Sequence, residues 1–179
     1  MSQYFYDLAK KHTTDKWFYA RLYTDLFKDK RDSIKKVVEL GIGCPKTMRY
    51  VEGPYKTGAS LYMWRDYFPN AEIYGADILP EAVFQDDRIH TMQCDETKKE
   101  DLEAFIKFAG SDIDVFIDDG SHDVRKQIYT CQVVMPLLPK NVTYVLEDVV
   151  FLNSATRKLS MYDLTVPKGY HAIIIKHKQ

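Results

Sequence analysis

Two short stretches carry residue types and spacings that could do chemistry. One is Asp118-Asp119-Gly120-Ser121-His122, and the other is the acidic pair Glu147-Asp148. Carboxylates are hard oxygen ligands, and a Mg²⁺-like ion binds through one or two of them plus waters and substrate oxygens. Asp119, Glu147 and Asp148 are therefore read as a ligand set for Mg²⁺ or Mn²⁺. His122 lies three residues past Asp119, across a glycine. Its imidazole titrates near working pH and could take the proton of a hydroxyl held at such an ion. The plainer reading is that Ser121 or Asp123 caps a following helix and the acids are solvated.

Both stretches close an apolar run, Asp114-Val115-Phe116-Ile117 in one case and Thr143-Tyr144-Val145-Leu146 in the other. Buried strands that deliver acids at their C-terminal ends are where an open α/β sheet holds its ligands. Further strand candidates run over 34–40, 72–76 and 88–94, with 161–166 and 171–176 forming an antiparallel hairpin around Pro167-Lys168-Gly169. Helix patterns fall between them at 60–68, 98–109 and 124–135. Leu102, Phe105, Ile106 and Phe108 are expected to face inward from the second of these. The alternation predicts a doubly wound, mostly parallel sheet. Ahead of it, residues 3–11 suit a short helix, and Thr13-Thr14-Asp15-Lys16 reads as the N-cap of a second. That second helix carries Trp17, Phe18, Tyr19, Leu22, Tyr23, Leu26 and Phe27 in one stripe, which either packs on the sheet or closes over a cleft.

Glu39-Leu40-Gly41-Ile42-Gly43 follows the first strand and resembles a nucleotide turn. A dinucleotide site needs a third glycine and an acid about 20 residues further on. Here Cys44-Pro45-Lys46 follows Gly43, and the next acid at a strand end is Asp77. S-adenosylmethionine, which has no phosphate, suits the pattern better. Glu39, Asp77 and Asp95 at successive strand ends match its amino-acid end, its ribose and its adenine. Gly41 and Gly43 would let the backbone pass close to the ligand.

The 179 residues are about one domain's worth, 45% hydrophobic and 28% charged, with net charge −1. Nothing in that balance favours nucleic acid or a membrane surface, and no apolar run approaches the ~18 residues of a span. The start, Met1 to Asp7, lacks a basic n-region and an apolar h-region, so no signal peptide is expected. Cys44, Cys94 and Cys131 are odd in number and not in CxxC spacing, which favours free thiols in a reducing cytoplasm.

Several stretches together resemble the class I methyltransferases of the macrocin and mycinamicin type, which O-methylate deoxysugars. They are Thr14-Asp15-Lys16, Val38-Glu39-Leu40-Gly41, Gly58 to Pro69, Ile73-Tyr74-Gly75-Ala76-Asp77, Asp118 to His122 and Glu147-Asp148. The resemblance implies a Rossmann-like, seven-stranded sheet and Mg²⁺-assisted methylation of a sugar hydroxyl on a glycan or glycosylated small molecule. It implies Asp119 as a metal ligand, His122 as general base and Glu147-Asp148 as the second acidic pair. Gly58 and Ser60 would sit at the amino-acid end of the cofactor, and Lys16 and Asp118 are counted with the cofactor-binding residues. Residues 1–179 are expected to form one catalytic domain, with 1–33 as a helical lid or packing segment and no separate N-terminal domain. The aromatic helices would also serve a homodimer. The rival readings are an NAD-dependent oxidoreductase on a similar sheet and a non-catalytic binding module that kept the fold.

Overall fold

The computed structural model describes residues 2–51 and 53–178. Eight strands form one sheet: β1 (Lys36–Leu40), β2 (Glu72–Asp77), β3 (Gln85–Asp86), β4 (Ile89–Gln93), β5 (Val115–Asp118), β6 (Thr143–Leu146), β7 (Asp163–Thr165) and β8 (Ile173–Lys176). Their order is β3-β4-β2-β1-β5-β6-β8-β7. β4, β2, β1, β5 and β6 run parallel, and β7 and β8 return antiparallel as the expected hairpin. The seven expected strands gain a two-residue eighth, β3. It doubles back on β4 because the Phe84 N–H donates to Thr91 Oγ1 at 2.6 Å.

The helices are α1 (Ser2–Lys11), α2 (Ala20–Phe27), α3 (Ala59–Tyr67), α4 (Lys99–Ala109), α5 (Val124–Val134) and α6 (Leu152–Lys158). The aromatic stripe expected to be one helix is broken in two. A 3₁₀ turn, Asp15–Tyr19, is capped by Thr14, whose side chain accepts from the Lys16 N–H, and α2 follows it. On α4, Leu102, Phe105, Ile106 and Ala109 are buried at helical spacing, whereas Phe108 is 42% exposed. Phe108 falls off that stripe and instead meets the Tyr74 ring edge-on, with centroids 5.5 Å apart. α6 was not expected; it forms where Ala155 and Leu159 are buried against the sheet.

The strands feed two cores by strict alternation. Val37, Val115, Ile117 and Val145 pack with Phe5, Tyr23, Phe27 and Trp64 from α1, α2 and α3. Val38, Phe116, Tyr144 and Leu146 pack with Phe105, Val134 and Ala155 from α4, α5 and α6. Burying both faces is what a mostly parallel sheet requires. No helix among the described residues is long and apolar enough to cross a membrane. After β1 the chain builds outward through β2 and β4, and it then crosses to β5 and β6 on the other side of β1. The gap between the ends of β1 and β5 is therefore the switch point where such sheets form a crevice.

Candidate active site

Gly41 ends β1 with φ +87°, and its N–H donates to the Ala76 carbonyl at 2.8 Å. A Cβ there would stand 2.1 Å from the Asp119 carbonyl oxygen, so only glycine lets the two strand ends approach. Gly43 donates its N–H to Asp77 Oδ2 at 3.0 Å, and the Leu79 N–H donates to Asp77 Oδ1 at 3.0 Å. Between these turns opens a cleft of about 420 Å³, within the range of small-molecule sites. Gly41, Gly43, Ser60, Asp77, Asp95 and Asp119 line it, together with Lys16 and His122. Of the eleven residues expected at the cofactor and catalytic positions, eight line the cleft, and Glu39, Gly58 and Asp118 do not.

Strand parity explains two of the absences. Glu39 follows Val37, and Glu147 follows Val145, so both point to the α1–α3 face. Glu39 is fully buried and accepts from Ser60 Oγ at 2.6 Å, so it holds Ser60 rather than facing the cleft. Asp118 follows Phe116 onto the opposite face, where Tyr144 Oη donates to its Oδ2 at 2.6 Å. Burial pushes that carboxyl up to about 7 despite the Tyr144 hydrogen bond. Gly58 serves the backbone: it opens α3 at φ +66° and donates its N–H to the Gly43 carbonyl at 3.1 Å.

Glu147, expected as a metal ligand, is engaged by two other side chains. Its side chain is 1% exposed, with Tyr23 Oη donating to Oε1 and Lys16 Nζ 2.5 Å from Oε2. Lys16 was expected to touch the cofactor. Its ammonium has three donors and meets three carboxylates: Asp119 Oδ2 at 2.5 Å, Glu147 Oε2 at 2.5 Å and Glu39 Oε1 at 3.3 Å. Those partners outweigh the cost of burying the ammonium and hold its pKa well above the ordinary lysine value. Asp119, His122 and Asp148 form a cluster, each offering one ligand atom within 4.8 Å of the others. His122 Nε2 lies 3.7 Å from Asp119 Oδ1 and 3.5 Å from Asp148 Oδ2. Asp148 reaches inward because its backbone is left-handed, φ +51°, which breaks the alternation after β6.

Two neighbours, Tyr19 and Glu96, were not read as site residues in the sequence. Tyr19 Oη donates to Asp148 Oδ1 at 2.6 Å. Glu96, beside Asp95 on the cleft wall, accepts from the Ser121 N–H at 3.1 Å. Asp95 itself is turned to its own loop, accepting from the Thr97 N–H at 3.0 Å and Thr97 Oγ1 at 2.7 Å. Asp123 provides the cap of α5, accepting from the Arg125 N–H at 2.8 Å. Only Tyr19 had a sequence signal, and as part of the aromatic stripe it read as packing.

Known proteins share this chain's sequence and fold. No protein-family model matches the chain. Over 149 residues it is 35% identical to the 8-demethyl-8-(2-methoxy-alpha-L-rhamnosyl)-tetracenomycin-C 3'-O-methyltransferase of Streptomyces olivaceus, covering 79% of this chain and 36% of that protein. It is 31% identical over 147 residues to the mycinamicin VI 2''-O-methyltransferase of Micromonospora griseorubida, covering 80% and 35%. The chain is a homologue of the mycinamicin- and macrocin-type O-methyltransferases. It spans about a third of the length of these curated relatives. Its fold matches the MycE methyltransferase of the mycinamycin pathway, solved with Mg and SAH, at TM-score 0.80 and 22% identity, covering 98% of this chain and 53% of that one.

As in other class I methyltransferase folds, the cleft in this homologue lies at the C-terminal edge of the sheet. Its donor set fits a divalent ion: two carboxylates meet at one point, with room for water and substrate oxygens beside a half-exposed histidine. Burial alone would raise the Asp119 carboxyl, but the Lys16 ammonium, the nearby His122 imidazole and the hydrogen bond from Lys16 hold it below the ordinary range. The neighbouring Asp119 carboxylate raises the His122 pKa against the effect of its partial burial, and the charge of Asp148 adds to that rise.

Proposed function

We propose that this chain carries the catalytic unit of an S-adenosylmethionine-dependent O-methyltransferase that uses a divalent ion and methylates a sugar hydroxyl. The observation that carries the reading is the convergence of Asp119, His122 and Asp148 beside the cleft bounded by Gly41 and Gly43. The relatives' activities on glycosylated small molecules supply the acceptor class. Residues 1–179 act as one unit, with 1–33 packed over the sheet and supplying Lys16 and Tyr19. Three buried free cysteines suit a reducing cytoplasm.

S-adenosylmethionine would supply an electrophilic methyl on a sulfonium, and Mg²⁺ would supply charge that lowers the acceptor hydroxyl's pKa. Asp77 and Glu96 offer acceptors for the ribose and adenine ends, and Ser60 and the Gly41 turn face the amino-acid end. Asp119 and Asp148 hold the ion. His122, half-exposed on the acceptor side, takes the hydroxyl proton at Nε2. Transfer of that methyl to the acceptor oxygen would break the carbon–sulfur bond and leave the thioether, with the displaced proton on His122. The residues contribute mainly positioning and charge.

Calorimetric titration with S-adenosylhomocysteine, with NAD as control, in Mg²⁺ and in EDTA, tests the cofactor class. Micromolar binding of the first and none of NAD is the expected result. A methyl-transfer screen over rhamnosyl and deoxysugar glycosides follows. Absence of S-adenosylhomocysteine binding in both buffers would overturn the reading.

A further inference from the structure

The 3₁₀ turn Asp15–Tyr19 touches both carboxylates of the cluster from the side away from His122. Lys16 Nζ takes Asp119 Oδ2 at 2.5 Å. Tyr19 Oη takes Asp148 Oδ1 at 2.6 Å and accepts the Asp148 N–H at 3.3 Å. Each carboxylate thus has one oxygen held by the turn. The other oxygens, Asp119 Oδ1 and Asp148 Oδ2, are the ones nearest His122. Asp148 has a left-handed backbone, and the two-way contact with Tyr19 holds that conformation from both ends of the residue.

The turn is itself firmly seated. Thr14 caps it, Lys16 is 1% exposed, and the Tyr19 ring stacks on Tyr170 with centroids 5.8 Å apart. Behind it, Tyr23 Oη on α2 donates to Glu147 Oε1, and Lys16 Nζ meets the other Glu147 oxygen, so Glu147 braces Lys16 in the turn. A metal centre needs such outer contacts because free carboxylates rotate and also bind through both oxygens.

Resting on the cation site proposed above, we infer that Lys16 and Tyr19 are positioning residues that pre-set Asp119 and Asp148 as one-oxygen ligands. Cation affinity is then governed by a segment that precedes the sheet in sequence and never touches the ion. The inference reaches only residues of this chain, and it separates two functions that share one cleft: Tyr19 acts on the cation side and leaves the S-adenosylhomocysteine side alone.

The test is Mn²⁺ binding to the full chain, read by electron paramagnetic resonance of the free ion, alongside calorimetric S-adenosylhomocysteine affinity and thermal melting. Tyr19→Phe keeps the stacked ring and removes only the hydroxyl. It is expected to weaken Mn²⁺ about 10- to 100-fold, the usual effect of losing an outer-shell partner, with S-adenosylhomocysteine affinity unchanged. Lys16→Met leaves three carboxylates without their buried counter-charge and is expected to lower the melting temperature, so Tyr19→Phe is the deciding variant. Wild-type Mn²⁺ affinity in Tyr19→Phe would overturn the inference while leaving the cation site standing. Equal loss of Mn²⁺ and S-adenosylhomocysteine binding would also overturn it, because a general packing defect would then explain both. No Mn²⁺ binding by the wild type would overturn the cation site and the inference with it.

Discussion

Asp118 and Asp119 are adjacent in the chain and face opposite sides of the sheet. Asp118 is sealed under α4 and α5, accepting from Tyr144, while Asp119 turns to the cleft and meets Lys16 at 2.5 Å. The pair therefore divides into a structural acid and a site acid. Asp118→Asn is expected to keep Mn²⁺ and S-adenosylhomocysteine binding, because the amide oxygen still accepts from Tyr144. Asp119→Asn is expected to lose Mn²⁺ binding by 10-fold or more, an order-of-magnitude figure for a lost ligand contact. Parallel titrations of both variants check this, and equal losses would contradict the division.

His122 is half-exposed and is held by carboxylates rather than by the cleft's floor. His122→Ala is expected to lower turnover by roughly 10²–10⁴-fold, the usual worth of a general base. S-adenosylhomocysteine affinity should stay within a factor of about two, since the imidazole is a proton acceptor in this scheme and not a cofactor contact. Single-turnover rates with a methylated glycoside product, beside calorimetry, would separate the two effects. Unchanged turnover removes His122 from the chemistry.

Gly41 and Gly169 both have positive φ, +87° and +85°, but differ in surroundings. A Cβ at Gly169 meets nothing within 4 Å, whereas one at Gly41 strikes the Asp119 backbone. Gly169→Ala should cost only left-handed strain, about 1 kcal/mol. Gly41→Ala should cost clearly more and also abolish S-adenosylhomocysteine binding, because the strand ends that bound the cleft must part. Urea denaturation of both variants gives the comparison.

Asp66 on α3 accepts from Lys11 Nζ and pairs with His12 Nε2, both at 2.8 Å, tying the end of α1 to the sheet's cover. Burial would raise its carboxyl, but the hydrogen bonds from Lys11 and His12 win and the pKa is lowered. A depressed folded pKa contributes stability above the unfolded value of about 3.9, and that contribution is lost as pH falls through the folded pKa. Asp66→Asn should therefore cost roughly 0.5–1 kcal/mol at pH 7, in the range of partly exposed pairs, and progressively less as pH falls below 4. Melting temperatures across that range would show the two curves converging on the acid side.

The alternation of strands and helices, the glycine turn after β1 and the Asp-Asp-Gly-Ser-His ending were all legible in the chain. Each is written in local chemistry: apolar runs of strand length, glycines where the backbone must turn left-handed, acids where strands stop. Strand parity separates Asp118 from Asp119, yet both were read as site residues, and the packed sheet decides which face meets the cleft. Where β3 pairs, and that α6 forms at all, were not legible, because both depend on contacts made across the sheet.

The cation site shows the same boundary most clearly. Five candidate side chains could be picked from the sequence, but not which of them share a point in space. Lys16 lies 103 residues from Asp119 and 131 from Glu147, and Tyr19 lies 129 from Asp148. Only the packed fold brings that turn against both strand ends. There the ammonium pairs with Glu147, and the left-handed Asp148 meets Asp119 and His122. Residue type sets what each group can do, and the buried charge balance between distant segments selects which groups do it.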